Sequence, residues 1–324
     1  MRSFRLLATL GGLLALLPLI ASAGPPPQKG LQTVRFNTFN LDAATVAAQA
    51  HGYFAAQGIN LQVTITPNST DQMRGLSQGN FDVVSTAFDN VLAWSGREGA
   101  TIVAVLQRGT PLNLPVYIRP EIRDWDDLRG KPLAVDAVDT AYALVLRRVL
   151  LAHGLDMDRG DYTLVPVGGR REASLARGDT YAGILSTQEE AQAQTDGLVR
   201  ITDYTEVLPD YPDGVYAVTR TWGEAHRDLV ERFIRAWLAG ARWAQDNPQP
   251  MIELLSATTG LPRAGAEQQV IGLYAEGRLN LPGLQNVLDL RTEFGFTLPM
   301  GTDLSRFYDT SYFAQATGGA ASAR

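Results

Sequence analysis

The chain has 324 residues, 45% of them hydrophobic and 19% charged, with a formal net charge of −6 and no cysteine. That length suits about two globular domains. The composition excludes disulfides, thiolate metal sites and a lipid anchor on cysteine, and an acidic balance without long basic runs argues against nucleic acid as a partner.

Arg2 and Arg5 precede an apolar run over 6–20, and Ala21-Ser22-Ala23 supplies a small-residue cleavage pattern. The run is too short for a membrane-spanning anchor, so residues 1–23 are expected to be a secretory signal peptide. Its removal deletes two arginines and no acid, taking the formal charge from −6 to −8. An exported chain with no anchor points to a periplasm.

Residues 24–30, GPPPQKG, read as a spacer. A strand over 34–39 opens the ordered part, and Ala43, Val46, Ala47, Ala50, Tyr53 and Phe54 follow at helical spacing up to Gly58. Ile59, Leu61, Val63 and Ile65 alternate as in a strand, and Pro67-Asn68-Ser69-Thr70-Asp71 supplies a turn and helix cap. The stretch 76–90, LSQGNFDVVSTAFDN, then reads as helix end, left-handed Gly79, buried strand and polar loop. A second such phrase, LARGDTYAGILSTQEE, begins at Leu175, with Gly178 in the place of Gly79.

Between the two phrases come strands over 101–107 and 116–119, a turn at Gly109-Thr110-Pro111, a strand over 132–135, a helix over 141–153 capped by Asp139-Thr140, a strand over 162–167 and a helix over 170–176. A returning strand is expected over 215–219. One long helix is expected over 222–247, with Leu229, Phe233, Trp237, Leu238 and Ala241 on its apolar face, then helices over 268–279 and 283–294 and a frayed end from Ala314. Strands alternating with helices imply an α/β fold with largely parallel sheets, whose ligands lie beyond the carboxyl ends of the strands.

Four segments in this order carry a family resemblance: GYFAAQGINL from Gly52, LSQGNFDV from Leu76, DLRGKPLAV from Asp127, and LARGD from Leu175. With the export signal, the chain resembles the substrate-binding proteins of ABC importers for nitrate, sulfonates, taurine and thiamine-precursor pyrimidines. The resemblance implies a type II periplasmic binding protein: two Rossmann-like lobes, residues 31–114 with 220–324 and residues 115–219, with a ligand cleft between them. It implies capture of a small organic anion or a polar heterocycle, delivery to an ABC permease in the inner membrane, a monomer, and neither cofactor nor catalysis. Alternatives are binding or synthesis of a thiamine-precursor pyrimidine, or a ligand-sensing subunit. Enzymatic relatives of that kind carry a cysteine cluster, which this chain lacks.

By position, the cleft is expected to be lined by Asn37, Phe39 and Asn40, by Ser69 and Thr70, by Thr86, Phe88 and Asp89, by Asp139 and Thr140, and by Ser186, Thr187 and Gln188. Helix N-termini there would offer unpaired N–H groups to an anion, and Phe39 and Phe88 could sandwich a flat ligand or serve in the core. Asp89 either caps the helix over 90–94 or meets the ligand, where it would favour an amine over an anion. Asp139-Thr140 carries the same ambiguity.

Other motifs read as structural. Gly75-Leu76-Ser77-Gln78-Gly79 matches the serine-hydrolase pattern, but Ser77 ends a helix instead of following a strand. Asp156, Asp158, Gly160 and Asp161 resemble a calcium loop with its glycine displaced and no acid at the twelfth position, so a surface turn is expected. His51, His153 and His226 have no metal-ligand spacing. Asp126-Asp127 and Glu189-Glu190 are adjacent and point apart.

Overall fold

The computed structural model describes residues 30–109, 114–203, 205, 207–212, 214–296 and 298–319. The expected signal peptide, most of the spacer and two residues of the turn at 109–111 lie outside them. The elements run β1 (Gln32–Thr38), α1 (Ala43–Ala50), α2 (Tyr53–Ala56), β2 (Ile59–Ile65), α3 (Ser69–Ser77), β3 (Val83–Thr86), α4 (Phe88–Trp94) and β4 (Ile102–Gln107). Next come β5 (Pro115–Ile118), β6 (Lys131–Val135), α5 (Ala141–Ala152), β7 (Tyr162–Pro166), α6 (Arg171–Arg177), β8 (Ala182–Ile184), α7 (Thr187–Thr195) and β9 (Val199–Asp203). The chain closes with β10 (Val215–Thr219), α8 (Arg220–Ala225), α9 (Arg227–Asp246), α10 (Pro248–Thr259), α11 (Arg263–Ile271), α12 (Leu281–Glu293) and α13 (Ser311–Ala316).

Two five-stranded sheets form, in the orders β2-β1-β3-β10-β4 and β7-β6-β8-β5-β9. In each, a parallel trio is joined by one antiparallel strand in the fourth position, β10 in the first sheet and β5 in the second. Each of these is the first strand made after the chain crosses from the other sheet. The sheets are therefore mixed where the sequence suggested largely parallel ones. We call each sheet with its helices a lobe.

The two repeated phrases are the same local structure. Gly79 and Gly178 both take left-handed backbone, with φ of 74° and 85°. Gly79 N–H bonds Leu76 O and Asn80 N–H bonds Gly75 O, while Gly178 N–H bonds Leu175 O and Asp179 N–H bonds Ser174 O. Each helix is thereby stopped at a fixed distance before the strand that follows it.

Several helix limits differ from the sequence reading. The pattern from Ala43 to Phe54 is cut at His51-Gly52, where Gly52 has φ of 70°. The long pattern from Trp222 splits at His226, whose φ of −125° and ψ of 34° are not helical. The expected helix over 268–279 is instead α11, entered after Pro262 and ended at Gly272. The terminus stays helical through Ala316 because Tyr312 and Phe313 are buried under α9. The apolar face predicted on α9 is as read, with Leu229, Phe233, Trp237, Leu238 and Ala241 all buried. Burying such a row stabilises the lobe by roughly 1.5–3 kcal/mol per large side chain.

The motifs dismissed on sequence are structural here. Ser77 ends α3. Asp156 and Asp161 accept the main-chain N–H groups of Asp158 and Asp156 in a tight turn, and Arg159 reaches Asp161. Each histidine packs on a tryptophan: His51 on Trp243, His153 on Trp125, His226 on Trp222. Among the described residues no group of three or more His, Asp or Glu could hold a metal ion, and no helix is long and apolar enough to cross a membrane.

Candidate functional site

In lobe 1, β1 and β3 are parallel neighbours, so Thr38 and Thr86 end side by side. In lobe 2, β6 and β8 are parallel neighbours, which puts Val135 and Ile184 together. The loops leaving these ends carry most of the residues expected to line a cleft.

The lobe 1 residues divide into supports and rim. Asn37 is 2% exposed, donates to Thr64 Oγ1 at 3.0 Å and accepts from Gln72 Nε2 at 3.0 Å, so its amide ties β1, β2 and α3 together. Thr86 is equally buried and accepts from Asn90 Nδ2 at 2.9 Å. Phe88 belongs to the apolar core with Val91 and Leu92. Phe39, by contrast, is 37% exposed, beside half-buried Asn40, whose carbonyl accepts from Thr38 Oγ1 at 2.6 Å. Ser69 and Thr70 occupy the first turn of α3, but the cap is Asn68, which accepts from Asp71 N–H at 2.8 Å.

Asp89 does not cap α4, whose N-cap is Ala87. Its carboxylate is buried and accepts from Arg291 Nη1 at 2.6 Å. The same Nη1 donates to the main-chain carbonyl of Asp139 at 2.9 Å, so one nitrogen joins a lobe 1 side chain to a lobe 2 loop. Burial pushes Asp89 up to about 6, against the pull of Arg291, and the carboxyls of Asp139 and Asp136 push it further up.

In lobe 2 the cap of α5 is Thr140, not Asp139, whose side chain is exposed. Thr140 Oγ1 also donates to Asp136 Oδ1 at 2.5 Å. Burial raises Asp136, while the Thr140 hydroxyl and the Arg171 charge oppose it. Ser186 caps α7 in a capping box with Glu189. Thr187 and Gln188 stand in the first turn of α7, and their side chains lie outside the described residues. Glu189 pairs with Arg171, whose guanidinium lies 4.6 Å above the Tyr142 ring.

Four residues of this region were not singled out from sequence. Asp136 directly follows β6 and Arg171 begins α6, positions at strand and helix limits that could have been flagged. Arg108 directly follows β4, reaches Ser85 Oγ at 3.3 Å, and packs where a Cβ on Gly214 would stand 3.1 Å from it. Arg291 comes from far along the chain and carries no local signal.

The chain matches the NMT1/THI5-like family model over residues 42–251. It is 25% identical over 215 residues to the formylaminopyrimidine-binding protein of Halalkalibacterium halodurans, covering 63% of each chain. Among solved structures it resembles the alkanesulfonate-binding protein SsuA of Xanthomonas axonopodis pv. citri bound to MOPS, with 17% identity, a TM-score of 0.72, and 85% of this chain and 98% of that one covered. The nitrate-binding protein NrtA of Synechocystis PCC 6803 gives 12% identity, a TM-score of 0.72 and 89% coverage of both chains. At these identities the structures establish the fold, that of the periplasmic binding proteins, and the matched family model covers well over half of the sequence. The chain thus belongs to the NMT1/THI5-like family.

Proposed function

We propose that this chain is the solute-binding component of an ABC importer, taking a small planar heterocycle with N–H donors into the gap between its lobes. The observation that carries the ligand class is Arg291 Nη1 held by both the Asp89 carboxylate and the Asp139 carbonyl, with the carboxyls of Asp139 and Asp136 near enough to push Asp89 up. Arg291 is engaged by Asp89, and Arg171 by Glu189. Asp136 then offers a half-buried carboxylate at the mouth of lobe 2, suited to an amino group or ring N–H. The exposed Phe39 ring can cover a flat ligand from lobe 1. The formylaminopyrimidine-binding relative supports the same class. With the expected leader removed, the mature protein works in the periplasm as a monomer, and closure around the solute presents both lobes to an inner-membrane permease. In this reading the chain binds and releases without chemistry or cofactor.

A second reading, a small organic anion such as a sulfonate, nitrate or carboxylate, is favoured by Arg108 beside Ser85 and by the helix N-termini at Thr140 and Ser186. A thermal-shift panel of aminopyrimidines, aliphatic sulfonates, nitrate and carboxylates separates the two. Ligand at a thousandfold excess over Kd stabilises by about 4 kcal/mol, a plain shift in melting. Stabilisation by aminopyrimidines supports the first reading. Stabilisation by anions alone transfers the case to the second, and silence across the panel defeats both.

A further inference from the structure

Helix α12 lies on both lobes. It packs on α4 of lobe 1 and on α5 of lobe 2. Its Leu284, Val287, Leu288 and Leu290 join one apolar cluster with Phe88, Val91 and Leu92 on one side and Ala141, Leu144 and Val145 on the other. Polar contacts reinforce the lobe 2 side: Arg148 Nη1 meets Glu293 at 2.8 Å, and the Arg147 guanidinium stands 4.0 Å above the Phe294 ring. At the centre is Arg291, with its charge fully buried.

We infer that Arg291 is the positioning residue of the binding site, a guanidinium that holds Asp89 of lobe 1 in register with the Asp139 loop of lobe 2. The inference rests on reading the interlobe gap as the solute site. Its physical basis is the loop itself. The Asp139 carbonyl that Arg291 holds belongs to the segment between β6 and α5, which also carries Asp136 and Thr140. Fixing that carbonyl fixes where the Asp136 carboxylate points relative to lobe 1. Arg suits the task because its planar donors keep a set geometry and it stays charged when buried. Its Nε is buried without a partner, so all the described bonding of this side chain falls on the one nitrogen that joins the lobes. Closure of two lobes is an equilibrium biased by such contacts, and each contact made only in the closed form shifts it toward closure.

The absence of cysteine permits a direct test on the ligand-free protein. Gln62 and Thr163 are exposed on β2 and β7, the outer strands of the two sheets. Spin labels on Gln62→Cys and Thr163→Cys report the separation of the lobes by pulsed dipolar spectroscopy. Arg291→Met is expected to lengthen and broaden the distance distribution, and Arg291→Lys to recover part of the original one. If Arg291→Met does not fold, the double variant Asp89→Asn/Arg291→Met, which leaves no buried charge unpaired, is read in its place with the same expectation. Arg148→Gln, which removes only the surface pair with Glu293, should leave the distribution as in the parent. A parent-like distribution without Arg291, or an equal widening from Arg148→Gln, overturns the inference. Because no ligand enters the measurement, that outcome is separate from failure of the solute-binding reading.

Discussion

Glu189 and Arg171 form a buried ion pair in which one carboxylate organises two helix starts. Glu189 Oε2 also accepts the Ser186 hydroxyl at 2.8 Å and the Ser186 amide at 3.0 Å, while Oε1 accepts the main-chain N–H groups of Arg171 at 3.1 Å and Glu172 at 3.3 Å. Glu189→Gln keeps the shape but takes from the buried Arg171 its ion-pair partner, a loss of about 3 kcal/mol. Urea denaturation with an unchanged slope should show it. A shift under about 0.5 kcal/mol, the level of an exposed pair, would sink this account.

Asp89 makes stability depend on pH. Its folded-state value of about 6 lies above the ordinary carboxylate value of 3.8, so between these limits the folded chain holds a proton that the unfolded chain has released. The contribution is therefore complete below about pH 4 and disappears as pH rises through about 6. Its ceiling is roughly 3 kcal/mol, since each tenfold difference in proton affinity is worth about 1.4 kcal/mol. Asp89→Asn should remove this slope from a stability profile taken between about pH 4 and about pH 7. Parallel profiles for parent and variant would contradict it.

The Tyr216 hydroxyl is shared by three elements. It donates to Asp42, lies 2.7 Å from Thr45 Oγ1 and accepts from Trp237 Nε1 at 2.8 Å. Burial, then Asp42, raises its pKa well above the usual tyrosine value, so it remains a donor at every ordinary pH. Tyr216→Phe leaves the buried indole N–H without its acceptor, and we expect a loss of about 2 kcal/mol. Calorimetry finding no change in melting temperature would show that another acceptor substitutes.

Gly240→Ala pits two effects against each other. Alanine in place of glycine inside a helix gains about 1 kcal/mol of propensity. Here the added Cβ falls against the Ala44 carbonyl oxygen and 2.8 Å from Ala48 Cβ, where α9 crosses α1. Backbone cannot swing aside as a flexible side chain does, so overpacking of about 1–3 kcal/mol prevails. The variant should be less stable in denaturant titration; a gain would mean that the helices separate cheaply.

Asp136→Asn tests the ligand class. For an amine-bearing heterocycle the loss of a charge-assisted hydrogen bond should weaken binding about tenfold, or roughly 1.4 kcal/mol. Aliphatic sulfonates should bind as before or better. Unchanged heterocycle affinity by titration calorimetry would place Asp136 outside the site.

Much of the framework was legible because it is written in local chemistry. Alternating apolar residues marked β2, glycines at 79 and 178 marked the repeated helix stops, and Thr140 marked the start of α5, whereas α7 after Ser186 was read only as a polar strand end. What failed were interruptions decided by packing, such as the break at His226 inside an otherwise unbroken helical pattern. Asp89 shows the limit most clearly. Its place at the start of a helix suggested a cap, but its partner Arg291 is 202 residues away, and no local pattern announces a pairing at that range. Asn37 and Phe88 were correctly placed near strand ends, yet the sequence could not tell which side of the strand end faces inward.

The position of β10 has a consequence for how the molecule is assembled. It lies between β3 and β4, so the first sheet stays in two pieces until residues 215–219 have arrived, after every strand of the second sheet. During synthesis lobe 2 can complete its sheet while lobe 1 waits with unpaired strand edges, and pairings of such long range form slowly. A chain built in this order remains unfinished through most of its emergence, the condition in which a polypeptide can still be threaded through a translocation channel.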